Sequence, residues 1–183
     1  GLQRGKQGIK YKKITALVLL FVLLGSFACF ALDTRLNTVF YTIETNKMEG
    51  TVRLAFLSDL HSCAYGAGQR ELIDAIERQK PDAVLLGGDI FDDALPHDNA
   101  EILLQAITKN YPCFYVTGNH EYWSDDVGEI FALLSSYDVT VLQGSGYTLM
   151  LNGNPVNICG IDDPEAGDEN GEKDFMQKQL EAI

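Results

Sequence analysis

Three short segments of the chain carry residue types that bind metal ions and move protons. They are SDLH at residues 58–61, GDIFD at residues 88–92 and GNHE at residues 118–121. Aspartate and neutral imidazole are ligands for borderline divalent ions such as Zn, Mn and Fe, and one carboxylate can bridge two ions. If the fold brings the three segments together, they predict a divalent metal site.

The spacing within the first two segments indicates which of their residues can reach a metal ion. Asp59 and His61 are two residues apart, so an extended segment points both side chains to one side, and either can hold an ion. The Gly87-Gly88 pair lets the backbone turn tightly and brings Asp89 close to the metal. Asp59, His61 and Asp89 are therefore candidate ligands.

The third segment adds a neutral oxygen ligand and a second histidine. Asn119 offers a carbonyl oxygen without adding negative charge, and His120 lies beside the metals without necessarily binding them. Taken singly, such residues are most often caps or turn residues, but DxH, GDxxD and GNHE at three successive strand ends form a specific pattern. The third histidine, His97, lies in a polar loop, where we expect solvent exposure, with a contact at the pocket rim as the alternative.

Apolar runs of strand length precede the three segments, and stretches of helical period separate them. The predicted strands are residues 52–57, 83–88, 113–118 and 139–142, and the predicted helices are residues 68–80, 99–110 and 126–137. Alternating strands and helices indicate an α/β domain whose sheet is parallel in its first half. Since ligands bind at the carboxyl ends of parallel strands, the candidate residues should converge there.

Two further segments extend the predicted sheet. Residues 146–162 have the pattern of two strands around NGNP at residues 152–155, which predicts a β-hairpin and an antiparallel portion. Residues 38–45 alternate between apolar and polar side chains, which predicts another strand. We therefore expect an α/β domain with a mixed sheet or with two stacked sheets.

Charge is distributed unevenly along the chain, which has 183 residues and a formal net charge of −12. The first 13 residues hold five basic residues and no acidic ones, so the rest carries 9 basic against 26 acidic residues. Such an acidic body lacks a basic surface that could neutralise the phosphates of a nucleic acid. We therefore expect no nucleic acid as a binding partner.

An uncharged, largely apolar stretch, ITALVLLFVLLGSFACFAL, occupies residues 14–32. As a helix it spans about 28 Å, close to the hydrocarbon thickness of a bilayer, which predicts a single-pass transmembrane anchor. Two alternatives stay open, a signal peptide cleaved at the small-x-small sequence of residues 26–28 and a lipoprotein signal ending at Cys29. The basic segment, residues 1–13, should remain in the cytoplasm and place the acidic body on the extracytoplasmic side of the cell membrane.

Together, SDLH, GDIFD and GNHE resemble the first three motifs of the calcineurin-like metallophosphoesterases, and the resemblance covers residues 38–165. With its N-terminal apolar stretch, the chain is most similar to the bacterial membrane-associated branch of that superfamily. The resemblance implies a four-layer αββα sandwich of two mixed sheets. It also implies two divalent metal ions (Mn, Fe or Zn) and a hydrolase that acts on phosphoric ester bonds.

The resemblance also implies a role for each candidate residue. Asp59 and His61 bind the first metal, Asp89 bridges both metals, and Asn119 binds the second. His120 is not a ligand in this scheme. It is catalytic, and it either stabilises charge on the phosphate in the transition state or protonates the leaving oxygen.

The implied reaction is the hydrolysis of a phosphomonoester or a phosphodiester by a hydroxide that bridges the two metals. In this scheme Asp92 supports the site by orienting a neighbour. The membrane segment suggests a lipid-linked substrate or an envelope metabolite. The alternative function is a degenerate relative that keeps the fold as a binding or scaffold module without catalysis.

The family also uses a further histidine and a Gly-His-x-His segment, and neither occurs in this chain. We therefore expect residues 33–183 to be a metallophosphoesterase domain truncated at its C-terminal end. The missing part would supply three histidine ligands and several strands. Such an N-terminal fragment is expected to be inactive by itself.

Overall fold

The computed structural model describes residue 15 and residues 17–27, 35–167 and 173–183, which belong to two compact units, Gly1–Asn37 and Thr38–Ile183. In the first unit, residues 17–27 form helix α1, whose side chains are exposed along its length. No helix within the described ranges is long and apolar enough to cross a membrane. The other residues of the predicted anchor, apart from residue 15, and all of the basic segment lie outside the described residues.

A four-stranded parallel sheet forms the centre of the second unit. Its strands, in the spatial order β1-β2-β3-β4, are Leu54–Leu57, Ala83–Gly87, Cys113–Val116 and Thr140–Val141. Every neighbouring pair is parallel, which confirms the prediction for the first half of the sheet. Strands β2 and β3 are central and largely buried, which explains why their sequences are almost wholly apolar.

Helices lie between these strands in the chain, as parallel strands require. They are α2 (Arg70–Gln79), α3 (Asp98–Ile107), α4 (Asn119–Trp123) and α5 (Val127–Ser136), and α6 (Lys173–Ala182) follows the last strand. In α3 the buried residues recur at helical spacing, namely Ala100, Leu103, Leu104 and Ile107. This apolar stripe fixes the helix against the core.

The predicted hairpin is present and forms a second, two-stranded sheet. Strands β5 (Ser145–Leu151) and β6 (Asn154–Gly160) are antiparallel. The two residues between them, Asn152 and Gly153, have φ angles of 49° and 82°. A two-residue type I′ turn requires positive φ at both positions, and Asn-Gly is the preferred sequence for it.

The hairpin packs on one face of the parallel sheet. Leu151 and Ile158 from the hairpin share a buried cluster with Phe114 of β3. Strand β1 lies at the edge of the parallel sheet, and its Leu54 and Phe56 side chains stay 41% and 67% exposed. The two sheets are therefore in contact, as the prediction of stacked sheets requires. The edge of the parallel sheet at β1 remains open to solvent.

The prediction of a strand at residues 38–45 is wrong. The segment has no regular secondary structure and pairs with no described strand. Its Val39, Tyr41 and Ile43 side chains are 60%, 88% and 88% exposed. Alternating apolar residues stabilise a strand only where a neighbour accepts its backbone hydrogen bonds and a core covers one face. Neither condition is met within the described ranges.

Helix α3 allows a matched test of this packing. Leu104 is fully buried, whereas Ile102 on the same helix is 37% exposed. We expect Leu104→Ala to lower the free energy of unfolding by about 2–5 kcal/mol, because it leaves a cavity in the core. Ile102→Ala should cost less than about 1 kcal/mol. Urea denaturation of both variants measures the difference, and equal losses would contradict the described packing.

Candidate metal centre

The three motif segments meet at the carboxyl ends of β1, β2 and β3. The segment after β1 continues to pair with the segment after β2, because the Asp59, His61 and Ser62 N–H groups donate to carbonyls. The acceptors are Gly88 O at 3.1 Å, Asp89 O at 2.8 Å and Ile90 O at 3.0 Å. The predicted convergence of Asp59, His61 and Asp89 therefore follows from backbone pairing that extends beyond the strands.

The backbone of these segments is not extended as we expected. Asp59, His61, Ser62 and Asp89 have φ angles of 56°, 47°, 51° and 51°, in the left-handed region. For residues other than glycine, this conformation costs roughly 1–2 kcal/mol each. The ladder of backbone hydrogen bonds offsets that cost. The spacing argument for Asp59 and His61 was wrong in its geometry, although the two side chains still lie together.

Asp59, His61 and Asp89 form a group that could hold a metal ion. One ligand atom from each residue lies within 4.8 Å of the other two. The His61 Nδ1 atom is buried and makes no hydrogen bond within the described part of the chain. A buried polar atom without a partner is costly, and a metal ligand role would remove that cost. One imidazole and two carboxylates are the donor set that Zn, Mn and Fe accept, so these residues fit such an ion.

Glu121 links the second and third segments through its buried carboxylate. Its Oε1 atom accepts from the N–H groups of Ile90 (2.8 Å) and Phe91 (3.0 Å). Its Oε2 atom accepts from the N–H groups of Gly118 (2.8 Å) and Asp89 (3.0 Å). The carboxylate is 0% exposed, and backbone amides take the place of a cationic partner. Glu121 therefore fixes the backbone on both sides of Asp89.

Two glycines allow the segments to approach each other this closely. Gly88 has a φ of 89°, and a Cβ atom there would lie 2.8 Å from the Gly118 backbone nitrogen. At Gly118, a Cβ atom would collide with the Asp89 carboxylate. Gly88 thus has the role that we expected for the Gly87-Gly88 pair. Gly87 serves a different purpose, since a side chain there would collide with the Phe56 ring.

His120 contacts both the candidate ligands and a second carboxylate. Its backbone N–H donates to Asp89 Oδ1 at 2.9 Å, and its ring Nδ1 lies 2.8 Å from Asp93 Oδ1. The ring centroid lies 4.3 Å from that of His61 and 5.0 Å from that of Trp123. His120 therefore lies next to the candidate metal ligands, as predicted.

The pKa of His120 is set by opposing effects. Burial alone would lower it, because desolvation disfavours the charged imidazolium. The hydrogen bond to Asp93 and the negative charges of Asp89, Asp93 and Asp92 act in the opposite direction and outweigh burial. The pKa of His120 is therefore raised, and the ring holds a proton to a higher pH than a free histidine does.

Asp92 lies between the two imidazoles but hydrogen-bonds to neither. Its Oδ1 accepts from the backbone N–H groups of Ala94 (3.0 Å) and Leu95 (2.8 Å). Its Oδ2 lies 3.6 Å from His61 Nδ1 and 3.9 Å from His120 Nδ1. The backbone hydrogen bond from Ala94 is the main cause that lowers the pKa of Asp92. One atom each from His61, Asp92 and His120 also lies within 4.8 Å of the others, a second group that could hold a metal.

The other two sequence candidates occupy different positions. Asn119 is the first residue of α4, and its side chain has no hydrogen-bond partner within the described ranges. Its role as a ligand stays a prediction.

His97 is half-buried: its Nε2 lies 3.3 Å from Asp92 O, and its ring contacts Phe91. It lines an open depression with Asp92 and Asp93, so the rim contact is confirmed and full exposure is wrong.

A hydrogen-bonded group behind the third segment joins β3 to the hairpin. Asp162 is 4% exposed and accepts from Thr117 Oγ1 at 2.9 Å and from Gln143 Nε2 at 3.1 Å. Burial raises the pKa of this carboxyl. Because Thr117 directly precedes Gly118, these hydrogen bonds help to hold the start of the GNHE segment.

Sequence reasoning did not assign roles to Glu121 and Asp93. A signal for Glu121 was present, because a glycine followed three residues later by Glu resembles a capping box, in which the Glu binds the N-cap backbone. Nothing in the local sequence predicted that Glu121 would also accept hydrogen bonds from the backbone after β2. Asp93 had none either, since adjacent aspartates in a polar loop are common turn residues.

A comparison with known protein families identifies the family to which this chain belongs. Residues 52–181 match the calcineurin-like phosphoesterase family. The chain belongs to that family. The match covers all three motif segments and both sheets, so the resemblance seen in SDLH, GDIFD and GNHE is confirmed.

Relatives of this calcineurin-like phosphoesterase occur in bacteria and animals. An uncharacterized metallophosphoesterase of Helicobacter pylori strain J99 is 27% identical over 124 residues, 66% of this chain and 32% of that protein. A Caenorhabditis elegans protein named as a metallophosphoesterase is 30% identical over 118 residues, 62% of this chain and 24% of that protein. A Bos taurus protein named transmembrane protein with metallophosphoesterase domain is 28% identical over 125 residues, 63% of this chain and 28% of that protein. The chain spans about a third or less of the length of these relatives.

The hydrogen bonds of Glu121 lead to a stability prediction. Glu121→Gln replaces one oxygen with an amide N–H₂ group that faces backbone donors, so two N–H groups lose their acceptor. We expect the free energy of unfolding to fall by at least about 2 kcal/mol in urea denaturation. Glu129→Gln is the matched control, because Glu129 is exposed on α5, and it should change stability by less than about 0.5 kcal/mol. Equal effects of the two substitutions would show that Glu121 does not anchor the backbone.

Proposed function

We propose that this chain contributes the metal-binding part of a membrane-associated, metal-dependent phosphoesterase, which hydrolyses a phosphomonoester or a phosphodiester. The observation that carries the proposal is the grouping of Asp59, His61 and Asp89, in which one ligand atom of each residue lies within 4.8 Å of the other two. The buried Nδ1 atom of the same His61 ring has no hydrogen-bond partner among the described residues. Family membership supports the same reaction class. In this proposal residues 33–183 belong to one phosphoesterase domain, and its two sheets are parts of a four-layer αββα sandwich.

The proposal gives each ligand a distinct task. Asp59 and His61 would hold one divalent ion, Asp89 would lie between two ions, and Asn119 would bind the second. Two such ions, once bound, would activate water for attack on phosphorus and would neutralise charge on the phosphate. The ion type is Mn, Fe or Zn, because carboxylate, amide and imidazole ligands suit all three.

The chain's own groups supply the rest of the site. Glu121 holds the backbone at Asp89, so this carboxylate is presented in a fixed direction before any substrate binds. His120 lies beside Asp89, because its backbone N–H donates to Asp89 Oδ1 at 2.9 Å, and its ring is therefore close to where a phosphoester would bind. A protonated imidazole either neutralises charge on a phosphate oxygen or gives its proton to the leaving oxygen.

The substrate and the location belong to the same proposal. An apolar stretch near the N-terminus, preceded by basic residues, supports a membrane anchor with the phosphoesterase domain on the extracytoplasmic side. A bovine relative bears the name of a transmembrane protein with a metallophosphoesterase domain, which supports the association with a membrane. A lipid-linked phosphoester or an envelope metabolite would then be the accessible substrate.

Metal binding by defined variants tests the assignment of ligands. In calorimetric titrations of the full chain with Mn²⁺, we expect Asp89→Asn to weaken binding strongly, since asparagine keeps the left-handed backbone but loses the charge. His120→Ala should leave Mn²⁺ affinity nearly unchanged. Asp74→Asn, on the surface of α2 away from the motifs, is the control for a lost carboxylate. If His120→Ala weakens binding as much as Asp89→Asn, His120 is a ligand and the assigned roles are wrong.

Turnover decides between the enzyme and the scaffold alternative. With Mn²⁺, Fe²⁺ or Zn²⁺ added, hydrolysis of an aryl phosphomonoester and an aryl phosphodiester is compared for the whole phosphoesterase to which this chain contributes and for the same variants of it. We expect Asp89→Asn to abolish hydrolysis and His120→Ala to reduce it by about 10²- to 10⁴-fold, the range for a general acid. Metal binding without hydrolysis of either substrate would favour a scaffold module.

A further inference from the structure

Trp123 is the last residue of helix α4, and its indole ring lies beside the candidate site. The indole centroid lies 5.0 Å from that of the His120 ring, and the His120 ring lies 4.3 Å from the His61 ring. The three rings therefore form a continuous series of contacts. It begins at a candidate metal ligand and ends at Trp123.

Helical spacing explains why Trp123 reaches the site. Residues three and four apart lie on one face of a helix, so Trp123 shares its face of α4 with His120 and Asn119. Glu121 lies two residues away on another face, where it is buried and holds the backbone. One turn of helix thus presents a candidate ligand, the candidate catalytic residue and the indole ring together.

The packing of the domain does not explain why Trp123 is exposed. The residue is 54% exposed, so much of its large ring contributes no buried area to folding. Single exposed apolar residues are common on protein surfaces, and exposure by itself assigns no role. The contact with His120 is what distinguishes Trp123 from exposed apolar residues elsewhere in the domain, such as Ile102 and Met150.

The position of Trp123 indicates which part of a substrate it would meet. In the proposed function, the phosphate lies at the metal ligands with His120 beside it. The rest of the ester must extend from the site toward solvent, and the exposed ring next to His120 is that of Trp123. Flat rings stack on an exposed aromatic face, and such contacts contribute measurably to binding. The leaving group is therefore the part of the ester that Trp123 can contact.

The charge next to His120 limits what this leaving group can be. Asp93 contacts His120, and it lines an open depression together with Asp92, Asp126 and His97. None of the described residues that line this depression is Lys or Arg. A leaving group with a negative charge of its own would be repelled there, whereas an uncharged ring would not.

We infer that Trp123 is a substrate-contacting residue that determines specificity: its exposed face stacks on a flat, uncharged ring in the leaving group of the phosphoester. The substrate is then an ester of a ring-bearing alcohol. Esters of small aliphatic alcohols, and of alcohols with a further acidic group, are poorer substrates. The inference rests on the proposed function, because it requires a phosphate held at the metal ligands, and it deepens that function by naming the class of leaving group.

Two other roles for Trp123 compete with stacking on a substrate. In the first, the indole only packs against His120 and holds it in place, so its loss would slow the hydrolysis of every ester equally. In the second, the indole lies at a membrane surface, where tryptophan is enriched, and does not touch the substrate. Selectivity between two esters separates stacking from both alternatives, since neither of them discriminates between leaving groups.

Fluorine nuclear magnetic resonance tests the contact by binding alone. The whole phosphoesterase to which this chain contributes is labelled with 5-fluorotryptophan and loaded with Zn²⁺, which is diamagnetic. The signal that is absent from Trp123→Phe identifies Trp123. Phosphonates serve as probes, because phosphoester hydrolysis does not cleave a carbon–phosphorus bond. We expect benzylphosphonate to shift the Trp123 signal and to bind about 5- to 100-fold more tightly than methylphosphonate, the range for stacking on an aromatic side chain.

Two further measurements in the same assay test the details of the inference. Trp123→Ala should remove most of the preference for benzylphosphonate over methylphosphonate. (4-Carboxybenzyl)phosphonate has the same ring with an added negative charge, and it should bind more weakly than benzylphosphonate. Equal affinity for these two rings would contradict the limit on charge.

Kinetics on a matched pair of esters tests whether the contact selects substrates. Benzyl and methyl phosphate, used as monoesters and as their methyl diesters, have leaving alcohols of nearly equal acidity. The ratio of their kcat/KM values therefore reports contacts with the leaving group. We expect this ratio to fall about 5- to 100-fold in Trp123→Ala and to be largely kept in Trp123→Phe, which retains a ring. Ile102→Ala removes an exposed apolar side chain of α3 and should leave the ratio unchanged.

The outcomes distinguish this inference from the proposed function. Equal binding of benzylphosphonate and methylphosphonate, or an unchanged kcat/KM ratio in Trp123→Ala, would overturn the role of Trp123 and leave the phosphoesterase proposal intact. A Trp123 signal that shifts with phosphatidylcholine vesicles but not with benzylphosphonate would assign the residue to a membrane contact instead. If no ester is hydrolysed and neither phosphonate binds, the proposed function is refuted and the inference falls with it.

Discussion

The buried carboxylate of Glu121 is the contact on which the arrangement of the other site residues depends. It accepts hydrogen bonds from four backbone N–H groups, three in the segment after β2 and one at the start of α4. A buried carboxylate without a cation is costly unless such donors surround it. Because it is surrounded, it ties two chain segments together and keeps Asp89 in a left-handed backbone conformation that would otherwise be unfavourable. The candidate ligands are thus positioned by main-chain contacts rather than by side-chain packing.

The second constraint on the site is its negative charge. Asp59, Asp89, Asp92 and Asp93 lie close together, and the imidazoles of His61 and His120 are nearby groups that can become positive. Like charges at such distances repel each other unless a cation or a hydrogen bond compensates them. Divalent ions at Asp59 and Asp89 would relieve this repulsion and attract an anionic phosphoester, which explains how an acidic domain could bind such a substrate.

The sequence predicted the parts of the fold that depend on local patterns. The apolar runs ending before Asp59, Asp89 and Asn119 are parallel strands, and the Asn152-Gly153 turn was readable because few residue pairs accept two positive φ angles. The predicted strand at residues 38–45 failed because alternation does not supply a partner strand. The pairing of His120 with Asp93 instead of Asp92 was not predictable, since it depends on how the turn after β2 orients two identical side chains.

The central claim is that Glu121 determines the metal affinity of the candidate site, because it fixes the backbone at Asp89, although it is not itself a ligand. Calorimetric titration of the folded Glu121→Gln variant with Mn²⁺, under conditions where it and the wild type are both fully native, tests this claim most directly. The account predicts that affinity falls by about 10- to 100-fold with every ligand still present, as for other residues that orient metal ligands. An affinity equal to that of the wild type would contradict it.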